Sequence, residues 1–200
     1  MRIHFGAEAP DQLQLPDKPD RHMQNYFEFY GIPESFILDE KAIKNTYYQL
    51  SREYHPDFYA NEPQEKQQEI LQLSTLNTNA YRTLSNADLR MQYILKEHGL
   101  LEEGGNNELP GEFLMEMMDI NEELMELEFD FDADKLHEIG EKSTGITAQL
   151  DADILPTLQR YPELHGVTKE AALQEVKIYY LKKKYLLRIK ETLSKFAARS

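Results

Sequence analysis

Cysteine is absent from all 200 residues, which excludes disulfides, thiolate metal sites and cysteine nucleophiles and fits an intracellular chain that never needed oxidation to be stable. No apolar run approaches the roughly 20 residues of a membrane span. The N-terminus has neither the apolar core of a secretory signal nor the Arg-rich, acid-poor character of a transit peptide, so the expected compartment is the cytoplasm. A surplus of Lys and Arg is lacking too: 22 basic residues stand against 36 acidic ones, a net charge of −14. That is the wrong sign for a partner made of phosphate. There is no Gly-rich phosphate loop and no G-x-S-x-G elbow. No two of the six histidines stand at the i, i+4 spacing of a helical zinc site. The expectation is a protein that is not an enzyme, with no cofactor, no metal, no nucleic acid and no membrane as partner.

What is present is enough apolar material, 40% of residues, to bury a real core without staples. Its pattern is helical throughout. The stretch Met1 to Met23, with Pro10, Pro16 and Pro19, has no sustained period and is expected to be a loosely ordered leader. A short apolar helix at Tyr26, Phe27, Phe29 and Tyr30 ends at Gly31-Ile32-Pro33. Asp39 then caps a helix from Glu40 to about Tyr54, where Ala42, Ile43, Tyr47, Leu50 and Tyr54 recur at three and four, and Pro56 stops it. A long helix over Pro63 to Leu84 returns antiparallel to it, making a hairpin with an exposed tip at His55 to Glu62. Another helix, Asp88 to Glu97, closes at His98-Gly99. Glu102 to Pro110, with Gly104-Gly105-Asn106-Asn107, is the expected linker. Three further helices, about Gly111 to Leu127, Ala133 to Gln159 and Thr168 to Ala198, predict an up-down-up bundle. The fold class is therefore all-α, divided into residues 24–101 and 111–200 around a linker at 102–110.

Charge is distributed unevenly. Lys177 to Ser200 carries eight basic residues against Glu191 alone, leaving −21 on the remainder. A basic last helix can lie on anionic lipid, but acidic helices of its own domain supply ample counter-charge, and packing against them is the expectation. Asp130, Asp132, Asp134, Glu138 and Glu141 match the EF-hand spacing, yet the glycine that the loop needs is Lys135. Acids in a helix's first turn complement its dipole without a metal.

Two constellations remain. His55-Pro56-Asp57 stands at the hairpin tip, where proline fixes the turn and two polar side chains on a solvated loop can make charge-assisted hydrogen bonds to a partner. In the helix after the linker, Phe113, Met117, Ile120, Leu124 and Leu127 alternate steps of four and three and form a core stripe. Met115 and Met118 then point away from that core and Leu114 points sideways. Apolar groups left over once a core is filled point to a binding patch. Asp119, Glu122 and Glu126 share that outer side and give an acidic margin.

The combination resembles a known family. Tyr26-Phe27-Glu28 through Gly31, Tyr54-His55-Pro56-Asp57, Leu76 with Ala80-Tyr81-Arg82-Thr83-Leu84, then Arg90, Tyr93, Leu95 and His98-Gly99 look like a J-domain of the HscB class. Phe113-Leu114-Met115-Glu116 and Glu122-Glu123-Leu124 look like the start of that class's C-terminal three-helix domain. The resemblance implies that His55, Pro56 and Asp57 engage a heat-shock-70-class ATPase chaperone of the HscA kind and stimulate its ATP hydrolysis. Lys41, Lys44 and Arg52 match the family's basic stripe, although Asp39, Glu40 and Glu53 offset them in number. It further implies that an iron-sulfur scaffold protein of the IscU type binds at Leu114, Met115, Met118, Asp119, Glu122 and Glu126, with Tyr180 from the last helix. Tyr180 rests on the resemblance alone. The competing expectation is a general J-domain co-chaperone that serves unfolded clients through the same tip.

Overall fold

The computed structural model of the chain describes residues 25–101 and 108–198; the expected leader and most of the expected linker lie outside the described residues. Seven α-helices carry the described fold, and no strand occurs among these residues. Helix α1 (Tyr26–Phe29) starts where the Asn25 side chain accepts a hydrogen bond from the Phe27 N–H. It ends at Gly31, whose φ of +64° only glycine adopts without strain. Helix α2 (Glu40–Glu53) is capped by Asp39, which accepts from the Lys41 N–H at 2.9 Å. Helix α3 (Gln64–Leu84) starts behind Pro63. Helix α4 (Ala87–Glu97) is capped by Asn86 and closed by Gly99 at φ +66°. After the linker come α5 (Gly111–Phe129), α6 (Ala133–Arg160) and α7 (Gly166–Ala197). Asp132 caps α6 by accepting from the N–H groups of Asp134 and Lys135, so an acid of the calcium-like spacing is occupied in starting a helix. No helix among the described residues is long and apolar enough to cross a membrane.

The hairpin of α2 and α3 is tied to α1 by a buried polar node. Asn77 donates from Nδ2 to the Tyr47 carbonyl and to Ser51 Oγ, and accepts from the Tyr30 hydroxyl at 3.0 Å. Burial pushes the Tyr30 phenol well above its usual range, with Tyr47 and Tyr81 adding to it, so this hydroxyl stays a donor. Arg90, itself buried, donates to the Phe36 carbonyl from Nε and Nη2 and to the Leu84 carbonyl from Nη1. It thereby satisfies a carbonyl at the end of α3 and pins the loop between α1 and α2. Among the described residues, no buried side-chain nitrogen or oxygen lacks a hydrogen-bond partner.

Two cores hold the molecule, and one of them crosses the linker. Phe113, Met117, Ile139, Leu186, Ile189 and Phe196 join α5 to α6 and to the C-terminal half of α7. The other core joins Phe27, Phe36, Leu84 and Ile94 to Ile154 and Tyr161 at the end of α6 and to Leu173 and Val176 on α7. Length explains the sharing. Helices α6 and α7 have 28 and 32 residues against 19 in α5, so they exceed α5 by about 13 and 20 Å at 1.5 Å per residue. The overhanging apolar faces need cover, and α1, α4 and the loop after α1 provide it.

A carboxylate organises this junction. Glu34, on the loop after α1, accepts from the Tyr161 hydroxyl at 2.7 Å, lies 2.9 Å from His98 Nε2 and pairs with Lys169 at 3.1 Å. The Lys169 ammonium also stands 5.0 Å over the Tyr161 ring. Burial alone raises the Glu34 carboxyl, but hydrogen bonds from Tyr161, His98 and Lys169 outweigh it and hold the group below its ordinary value of 4.5. Stabilisation from this group is therefore present above pH 4.5 and is lost as pH falls through the depressed folded-state value. Glu34→Gln is expected to cost about 1 kcal/mol at neutral pH. Denaturant melts of both forms from pH 7 to pH 3 should show the difference shrinking toward acid; a gap independent of pH would remove ionised Glu34 from the junction.

Candidate partner-binding surfaces

The hairpin tip is ordered by its own sequence. Proline at 56 opens a short 3-10 turn, Pro56–Tyr59, with His55 in the capping position. The Asp57 N–H donates to His55 Nδ1 at 3.3 Å, and the Phe58 N–H donates to the His55 carbonyl at 3.1 Å. An Nδ1 that accepts leaves Nε2–H as the imidazole's donor. The Asp57 carboxylate, 3.8 Å from Nδ1, is exposed, as are His55 and Pro56. The Tyr59 hydroxyl donates to the Glu53 carbonyl and ties the turn back to α2. The tip thus presents a donor, an acceptor and the exposed ring of Phe58 on a turn that needs no partner to keep its shape.

Lys41, Lys44 and Arg52 are exposed on α2. At about 100° per residue they share one face with the exposed Tyr48, and that face runs up to the tip. None of the three forms an ion pair among the described residues. Glu53 stands about 100° around the helix from Arg52 and the Asp39 carboxylate is turned back onto the Lys41 N–H, whereas Glu40, four residues before Lys44, borders the stripe at that end. The basic stripe is therefore free to face a partner.

On α5 the expected division of faces is present. Phe113, Met117, Ile120, Leu124 and Leu127 are buried, while Leu114, Met115 and Met118 are 42%, 65% and 56% exposed. Asp119, Glu122 and Glu126 are exposed beside them. Glu126 engages Lys135 of α6, whereas Asp119 and Glu122 enter no ion pair among the described residues.

Tyr180 does not join this group. It is only 8% exposed, packs in the core shared with α1 and α4, and is covered by the Lys184 ammonium at 5.8 Å from its ring. Burial raises its phenol, with Asp88 of α4 adding to the effect. Among the α7 side chains that meet α5 are Tyr185, whose ring lies 5.7 Å from Phe113, and Lys182, 5.2 Å over the same ring. By helical geometry these sit far around α7 from Tyr180. The reason is that α7 packs against α4 in its first half and α5 in its second, so its apolar residues follow two faces.

Comparison with known proteins agrees with this arrangement. Residues 25–93 match the DnaJ domain, and residues 109–194 match the HSCB C-terminal oligomerisation domain. A chain of 117 residues within it is 38% identical to the iron-sulfur cluster co-chaperone protein HscB of Homo sapiens, covering 58% of this chain and 48% of that protein. The chain thus spans about half the length of this curated relative. Its fold superposes on the crystal structure of human co-chaperone protein HscB with a TM-score of 0.64 at 26% identity, covering 96% of this chain and 93% of that one. Chaperone HscB from Vibrio cholerae shares the fold at 24% identity, with a TM-score of 0.53 over 84% of this chain and 99% of that one. An α2–α3 hairpin bearing His55-Pro56-Asp57 at its tip defines a J-domain protein. The chain carries a DnaJ domain followed by an HSCB C-terminal domain, the pair of domains by which it is similar to the HscB co-chaperones.

Proposed function

We propose that this chain is a cytoplasmic co-chaperone of iron-sulfur cluster assembly that delivers an IscU-type scaffold protein to an HscA-type chaperone and stimulates that chaperone's ATPase. The observation that carries the reading is two separate exposed surfaces on one packed molecule. The tip with its basic α2 stripe has the chemistry to engage an acidic ATPase partner, and the acid-edged apolar face of α5 has the chemistry to hold a second protein. The Glu34 cluster and the shared core keep the two surfaces in fixed relation, which is what an adaptor needs. The chain itself performs no bond chemistry in this reading; the ATP is hydrolysed by the partner.

Steady-state ATP hydrolysis by a purified HscA-type chaperone tests it, with this chain and a purified IscU-type scaffold added singly and together. The expected result is stimulation by this chain alone and a more than additive rate with both. Equal enhancement by an unfolded model client in place of the scaffold would instead support a general co-chaperone.

A further inference from the structure

The exposed apolar side chains of α5 continue beyond the residues that the family resemblance picks out. Met125 is 61% and Phe129 89% exposed. At about 100° per residue, Leu114, Met118, Met125 and Phe129 fall within roughly 60° of one another, on the side away from the buried stripe. This line runs for about 22 Å at 1.5 Å per residue. A helix that only closes a bundle carries polar groups on its outer side. A continuous apolar line there marks a surface that another molecule covers, and two methionines let it conform to that molecule.

Charge decides between the candidates for that molecule. Helix α5 holds seven Asp and Glu and no Lys or Arg. A second copy of the chain, seated by a twofold axis, would bring two such rows face to face. A partner with an apolar centre edged by Lys and Arg has the matching pattern. Beside the line, Met125 also forms one wall of a shallow groove of about 380 Å³, closed from α7 by Tyr185, Arg188 and Thr192. Asn121 fixes that wall by donating to the Met117 carbonyl and to the Tyr185 hydroxyl. A partner resting on Met125 therefore meets a depression next to it.

We infer that the apolar line of the scaffold-binding face continues past Met118 through Met125 to Phe129, so that the scaffold lies along the whole of α5 and reaches its C-terminal end. This rests on the function proposed above and names the second half of the same face.

Titration calorimetry with a purified IscU-type scaffold tests the inference. Met125→Ala combined with Phe129→Ala is expected to raise Kd at least threefold with helicity unchanged. The absence of cysteine offers a second measurement that leaves the rest of the face intact. Phe129→Cys, labelled with a benzophenone maleimide, should crosslink to the scaffold on irradiation, whereas Leu155→Cys on exposed α6 surface should not. Unchanged affinity of the double variant, with no crosslink from position 129 while Glu122→Cys still crosslinks, overturns the extension and leaves the function standing. Failure of the parent chain to bind the scaffold overturns both. A dimer in sedimentation that the double variant dissociates would show that a second copy covers this face, and would likewise overturn the inference.

Discussion

His55→Gln and Asp57→Asn are each expected to abolish stimulation of the partner ATPase while leaving helicity and melting temperature at parental values. Both side chains are solvent-exposed at the hairpin tip and outside either core, where substitutions usually change stability by less than about 0.5 kcal/mol, and the only helix that His55 caps is the four-residue 3-10 turn. His55→Gln removes the ring nitrogen that accepts from the Asp57 N–H, but the Phe58 N–H to residue 55 carbonyl bond is backbone to backbone. The proline and the Tyr59 tie to Glu53 also remain. Asp57→Asn keeps the shape of the side chain and removes its charge, so it separates an electrostatic contact from a steric one. Circular dichroism and a thermal melt establish folding, and multi-turnover ATP hydrolysis gives the effect. Full stimulation by either folded variant would take the tip out of the mechanism.

The elements that strong periodicity announced are those found. The Glu40 and Pro63 helices differ from α2 and α3 by a single terminal residue, because Asp39, Pro56 and Leu84 mark their ends locally. The inward stripe of α5 matches residue for residue, since that helix packs on one side only. Helix α7 carries no such signal. It is covered by different neighbours along its length, and Tyr180 on one face and Tyr185 on another read alike in sequence. The Glu34 cluster was not legible at all: its partners lie 64 and 127 positions away, and each residue taken alone is an ordinary polar loop or helix-end group. The shared core was hidden for the same reason, although the excess length of the last two helices over α5 was its visible trace. For α2, composition misled in part: its acids and bases nearly cancel in number, but Asp39 is occupied in capping the helix and helical phase sets Glu53 apart from the basic face, leaving Glu40 alone beside Lys44.

Leu114→Ala combined with Met118→Ala is expected to weaken binding of an IscU-type scaffold at least tenfold, about 1.4 kcal/mol, while stimulation of the ATPase without scaffold stays intact. Both side chains are largely exposed on the outer side of α5, and the core stripe beneath them is complete without them, so folding should change little. At roughly 0.8 kcal/mol per buried methylene, a partner that covers about half of each truncated side chain already exceeds the stated loss. Association also costs ordering and desolvation, which is why the expected value is a lower bound near one decade. The kinetic partition gives a further check. Apolar truncation should appear mainly as faster dissociation, whereas Asp119→Asn with Glu122→Gln should slow association and flatten its salt dependence. Calorimetry gives the affinity and stopped-flow the two rates. Unchanged affinity in the Leu114 and Met118 double variant would refute the α5 face as the scaffold's seat, and the extension toward Met125 and Phe129 would fall with it.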